Sequence, residues 1–182
     1  GVHNLENLMA AILAVKLFDP TIVVEENDVL RLSFPVMRQE EVYKKGRVKV
    51  VNDSCATSPD GTIAALLRFH KDARIILIAG GTDKSLEYAA LAKTIKQTLT
   101  EEQVVLLDGS GTHKLHEALR SFNPSTYDTL SACVDEALIR TTHIKKGNVV
   151  LLFSPGAASF EKFLHEFDRG AQFNKLVKKY FK

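Results

Sequence analysis

Four short apolar runs constrain this chain more than any other feature: Val48–Val51, Arg74–Ala79, Gln103–Leu107 and Asn148–Phe153. They read as strands, and they break off into small, polar or glycine residues. Between them, apolar residues recur at helical spacing, as in Leu91, Ala92, Ile95 and Leu99, or Leu115, Ala118, Leu119 and Phe122. Strands joined by helical connections of that length run parallel. Continuously apolar strands are covered on both faces. The pattern therefore predicts an α/β chain: a three-layer α/β/α, Rossmann-like domain with a mostly parallel sheet. One hairpin is expected, with strands around Glu41–Lys44 and Arg47–Val51 and Gly46 at the turn. A short strand around Tyr127 and a final helix carrying Phe173, Leu176, Val177 and Tyr180 complete the pattern. Residues 1–35 stand apart. They read as an amphipathic helix over 4–17, with Asn4 as a plain N-cap, and an ambiguous segment over 21–34, where Ile22, Val23 and Val24 favour a strand but the spacing of Val24, Val29 and Leu30 tips the reading to a helix that Pro35 ends. The expected division is 1–35 and 36–182.

The strand ends carry the chemistry. They read Asn52-Asp53-Ser54-Cys55-Ala56-Thr57-Ser58, Gly80-Gly81-Thr82-Asp83-Lys84-Ser85, Asp108-Gly109-Ser110-Gly111 and Ser154-Pro155-Gly156-Ala157-Ala158-Ser159. In a parallel sheet all four meet at one edge, where open α/β sheets place their ligands. Helix N-termini there favour anions. The expectation is a polar crevice lined by Asp53, Ser54, Thr57, Lys84 and Ser159. Taken singly, each loop is equally well explained by caps and tight turns, and for residues 108–111 that plain reading is preferred. Ser58 followed by Pro59 reads as the cap and first position of a helix. Lys84 resists the plain reading, because a cation beside a helix N-terminus opposes the dipole. It points to a bound carboxylate or phosphate. Cys55 could be a nucleophile at a helix N-terminus, but a small packed residue is preferred.

Other classes find no support. The phosphate-loop and GxGxxG patterns are absent, as are HExxH and CxxC, so no metal site is expected in this chain. A net charge of +2 gives no nucleic-acid signature, and no run approaches the ~20 apolar residues of a membrane helix. Two cysteines cannot build a disulfide framework and suit a reducing cytosol.

Several stretches resemble the Mur ligases. They are Asn52-Asp53-Ser54-x-Ala56-Thr57, Gly80-Gly81-x-Asp83-Lys84, Ser154-Pro155-x-x-Ala158-Ser159-Phe160 and Arg169-Gly170-x-x-Phe173. The opening Gly1-x-His3-Asn4-x-x-Asn7-x-x-Ala10-Ala11 resembles the end of the family's central ATPase domain. The remainder resembles its carboxy-terminal domain, closest in pattern to the D-glutamate-adding branch. That resemblance implies residues 1–35 as the tail of the ATPase domain and linker, and 36–182 as the amino-acid-binding domain. It implies ATP and Mg2+, the metal held by a part of the ligase outside this chain. The implied substrates are UDP-MurNAc-L-alanine, activated as an acyl phosphate, and D-glutamate, whose amine attacks it. Asn4 and Asn7 would contact adenine, and Arg38 and Asp53 the ribose. Thr57, Lys84, Ser159 and the backbone at Phe160 would hold D-glutamate. The same resemblance implies a cytoplasmic monomer, inactive as an isolated piece. The chain departs from the family pattern at Cys55, where a lysine is usual, at Met37 in place of histidine, and at Glu166-Phe167, where the order is reversed. A sister ligase of the folylpolyglutamate type, or a non-catalytic binding module, are the alternatives.

Overall fold

The computed structural model describes residues 2–33 and 35–181, with side chains from residue 5 onward. The chain divides into two compact units, residues 1–35 and 36–182. In the first, α1 spans Val2–Phe18 and α2 only Glu26–Leu30. The helix expected over 21–34 is thus confined to one short turn. Ile22, Val23 and Val24 lie outside it, as β-branched residues whose χ1 freedom a helix would restrict. Asn4 stands inside the first turn of α1 rather than capping it. Leu5, Met9, Leu13 and Leu17 of α1 are exposed.

Among the described residues the second unit holds six strands: β1 (Glu40–Lys45), β2 (Val48–Asn52), β3 (Arg74–Ala79), β4 (Val104–Leu107), β5 (Ser125–Tyr127) and β6 (Val149–Phe153). Its helices are α3 (Pro59–Phe69), α4 (Ala89–Thr98), α5 (Ser110–Leu119), α6 (Leu130–His143) and α7 (Glu166–Tyr180). The sheet order is β1-β2-β6-β3-β4-β5. Only the β1–β2 pair is antiparallel, turning through Gly46 at φ +57°. Gly46 is the first of two turn residues, the position a glycine-first hairpin loop reserves for it.

Period-two alternation sorts the strand side chains onto two faces. Val51, Ile75, Leu77, Val104, Leu106 and Leu152 pack with α3, α4 and α5. Val50, Ile76, Ile78, Val105, Leu151 and Phe153 pack with α6 and α7. The continuous apolar runs are therefore two interleaved stripes, each buried against its own helical layer. Among the described residues no helix is long and apolar enough to cross a membrane.

Candidate active-site rim

The topology fixes where a site can form. The chain leaving β3 runs to α4 on one face, whereas the chain leaving β6 runs to α7 on the other. Neighbouring parallel strands whose connections diverge in this way open a crevice at their carboxyl ends. Here the two exits are Gly80–Ser85 and Ser154–Ser159. The register brings Asn52, Phe153 and Ile78 level across β2, β6 and β3. The loops then continue from a common edge.

Those loops bond directly to one another. Thr82 and Ala158 form an isolated antiparallel bridge, with N–H to O distances of 2.9 and 3.0 Å. The Gly80 N–H donates to Pro155 O, and the Gly156 N–H to Ala56 O. The Gly111 N–H donates to Gly81 O at 2.8 Å, which ties in the 108–111 loop. That loop is the start of α5, with Gly109 at its N-cap. The plain reading preferred from sequence describes its local role. Glu161, beyond β6, accepts from both the N–H and the hydroxyl of Ser110.

The sequence-selected residues fall into two groups. Asp53 and Ser54 are buried inside the ties rather than lining an open crevice. The Asp53 carboxylate accepts from the Gln39 N–H at 3.0 Å and from the Ser154 hydroxyl at 2.7 Å. Ser154 also lies 3.0 Å from the Thr62 hydroxyl. Burial pushes the Asp53 carboxyl up to about 6, against the opposing effect of those hydrogen bonds and of Arg38. The second group sits at the surface of the rim. Thr57 is half-buried, and Lys84, Arg38 and Phe160 are exposed. Among the described residues Lys84 makes no ion pair, whereas its neighbour Asp83 is bound to Lys114 at 2.6 Å. Ser159 is buried, and its hydroxyl has no hydrogen-bond partner among the described residues. A buried orphan hydroxyl costs free energy and asks for an explanation. Asn7 is exposed on α1 in the first unit, and the Asn4 side chain lies outside the described residues.

Cys55 is buried, and burial raises its thiol pKa. That opposes a thiolate nucleophile and agrees with the packed reading. Its N–H donates to Met37 O at 3.0 Å. The loop carrying Arg38 is held in an uncommon conformation, with φ +56° at Met37 and +50° at Gln39.

Sequence reasoning gave Arg169 no role. Arg169 is fully buried on α7, and among the described residues no carboxylate lies within ion-pair distance. Its guanidinium reaches Ser54 on one loop and Ala157 and Ala158 on another. A signal was present: Arg169 precedes Phe173 and Val177 at steps of four, on the stripe that packs inward. Asn52 was likewise read only as a strand end, yet its side chain bonds Gly170 O and Asn174 and so anchors α7.

Among the described residues no group of three or more His, Cys, Asp or Glu side chains comes together to hold a metal.

No family model matches the chain. A UDP-N-acetylmuramoylalanine–D-glutamate ligase of Roseiflexus sp. (strain RS-1) is 40% identical over 186 residues, covering 99% of this chain and 38% of that protein. The ligase of the same name from Treponema pallidum is 39% identical across 78% of this chain and 25% of its own length. That of Clostridium tetani is 33% identical across 98% of this chain and 38% of its own length. The chain thus spans well under half the length of these curated relatives. Among solved structures, E. coli FolC in complex with ADP aligns with a TM-score of 0.57 at 17% identity, over 91% of this chain and 38% of that one. The MurF ligase of Thermotoga maritima in complex with ADP gives 0.56 at 19%, over 94% and 38%. At such identities the two structures establish a shared fold.

Proposed function

The chain belongs to the Mur ligase family, and we propose that it is the amino-acid-binding, carboxy-terminal part of an ATP-dependent ligase that adds D-glutamate to UDP-N-acetylmuramoyl-L-alanine. The observation that carries this reading is the Ser159 hydroxyl, buried and unpartnered, on a loop bridged to the one that bears Lys84. An orphan donor on one loop and a cation without an ion pair on the loop bridged to it suit a carboxylate: the hydroxyl would gain its missing partner and the ammonium its counter-charge. Thr57 and the Phe160 backbone complete the seat. The choice of D-glutamate over the substrate of a sister ligase is supported by the names of the relatives at 33–40% identity. The MurF and FolC likenesses bear on the fold only.

In this reading ATP supplies the phosphoryl group that activates the carboxylate of the nucleotide-sugar substrate. Arg38 and Asp53 serve the ribose, Arg38 as an exposed cation and Asp53 through its enclosed carboxylate. Asn4 and Asn7, in the first unit, serve adenine. Magnesium and the phosphate-binding loop belong to the remainder of the ligase. Phosphoryl transfer depends on those positioning groups, so the chain by itself releases no ADP. The exposed apolar residues of α1 support a larger protein that covers them. The whole enzyme acts in the cytoplasm as a monomer on peptidoglycan precursors.

The test is the complete ligase bearing this segment, given ATP and UDP-MurNAc-L-alanine. ADP release is expected with D-glutamate and not with a neutral or cationic amino acid. Lys84→Ala should lower kcat/KM for D-glutamate by roughly 10- to 100-fold, the worth of a hydrogen bond to a charged group. Turnover with another amino acid in place of D-glutamate would overturn the reading.

A further inference from the structure

We infer that Arg169 is the positioning residue of the amino-acid seat: it clamps the β6 exit loop to the β2 exit loop and so keeps the Ser159 hydroxyl free for a ligand. The inference rests on the seat proposed above but concerns a residue that does not touch the substrate.

Four hydrogen bonds define the clamp. Nε donates to Ser54 Oγ at 3.1 Å and Nη2 to Ser54 O at 2.8 Å. Nη1 donates to Ala157 O at 3.1 Å and Ala158 O at 2.9 Å. Ser54 Oγ in turn donates to Glu166 O at 2.7 Å, closing the network onto the first turn of α7. One planar fork therefore fixes two consecutive carbonyls just before Ser159 and one residue of the opposite loop. An ammonium on a flexible stem could not hold that geometry. The guanidinium is fully buried, and among the described residues it forms no direct ion pair. Such a charge is expensive to bury, and here carbonyl and hydroxyl oxygens solvate it while the Glu166 carboxylate on the same helix favours it from beyond ion-pair distance.

That expense fits the state of Ser159. A loop free to rotate would turn its buried hydroxyl toward some protein acceptor, since orphan polar groups are costly. With the carbonyls of Ala157 and Ala158 pinned on one side and the Thr82 bridge on the other, the loop has no such freedom. The hydroxyl stays unpaired because its backbone is overdetermined. The arrangement is pre-organisation: the seat is ordered before the amino acid arrives.

The experiment uses Arg169→Lys with two readouts. In the 182-residue chain, amide hydrogen exchange at residues 157–160 should quicken about tenfold or more, with exchange in the β3 and β6 core unchanged. In the complete ligase, KM for D-glutamate should rise roughly 10- to 100-fold while KM for ATP changes by less than about twofold. Unchanged exchange at 157–160, equal quickening across the whole sheet, or equal rises in both KM values would overturn the inference. Should Arg169→Lys fail to fold, Ser54→Ala removes only the Nε acceptor and the link to Glu166, and carries the same expectations at smaller factors. Wild-type ligase without D-glutamate-dependent turnover would overturn the proposed function, while the exchange readout still decides the clamp.

Discussion

Gly81→Ala is expected to destabilise the chain by about 2–6 kcal/mol, the sum of backbone strain and overpacking. Gly81 adopts φ +138°, where side-chain-bearing residues are rare. A Cβ there would stand 2.5 Å from Ala158 O, a backbone atom. That oxygen cannot retreat cheaply. It accepts from the Thr82 N–H at 2.9 Å and from Arg169 Nη1 at 2.9 Å, so moving it breaks the bridge and the clamp together. The Gly81 amide and carbonyl are engaged as well, with Thr112 Oγ1 and the Gly111 N–H. Gly147 provides the comparison: its φ is +81°, and a Cβ would meet nothing within 4 Å. Gly147→Ala should cost only the conformational part, about 1–2 kcal/mol. Urea midpoints of the two variants measure the difference. Equal losses would show that the close approach of the two loops contributes nothing.

The contrast between those glycines illustrates what a sequence exposes and what it hides. Arg74–Ala79 could be assigned to the letter because a strand buried on both faces has no polar interruption to blur its ends. The convergence of the four loops followed from parallel topology alone. What could not be read was which side chains would turn inward. Asp53 looks like a crevice residue on paper. The Gln39 N–H and the Ser154 hydroxyl that enclose it come from 14 positions before and 101 positions after it. Arg169 stands in a motif that marks it without saying where it points, and only the stripe it shares with Phe173 and Val177 hints at burial. The segment 21–34 failed for another reason. Its β-branched start and its short helical run compete locally, and among the described residues none of α2 is buried to tip the balance. Local pattern gave the layers and the edge. Partners distant in sequence decided which polar residues lie under the rim and which lie on it.

Asp53→Asn should make the chain more stable at neutral pH, by up to about 3 kcal/mol, and leave it unchanged near pH 3. In the unfolded chain the Asp53 carboxyl ionises near its usual value of about 4. In the fold, burial raises that to about 6. Below both values the two states hold the proton alike and the group contributes nothing. Between them the folded state keeps a proton that the unfolded state has released, so stability falls as pH rises. Above about 6 both are ionised and the penalty is complete. Asparagine carries no charge to desolvate. Its carbonyl can still accept from the Gln39 N–H, and the Ser154 hydroxyl, already paired with Thr62 at 3.0 Å, can turn to accept from the new amide. Carboxylates such as Asp168 and Asp83, whose pKa values the fold lowers through hydrogen bonds, tilt the curve the opposite way, since their stabilisation is lost as pH falls. They are common to both proteins, so the difference between wild-type and variant urea stabilities isolates Asp53. A difference that stays flat from pH 3 to pH 7 would mean the carboxylate is solvated in solution. A difference that grows toward neutrality would mean that the fold carries a buried negative charge at a cost to its own stability. What that cost maintains is the tie itself: one carboxylate joins the Gln39 amide to the Ser154 hydroxyl across two loops of the rim.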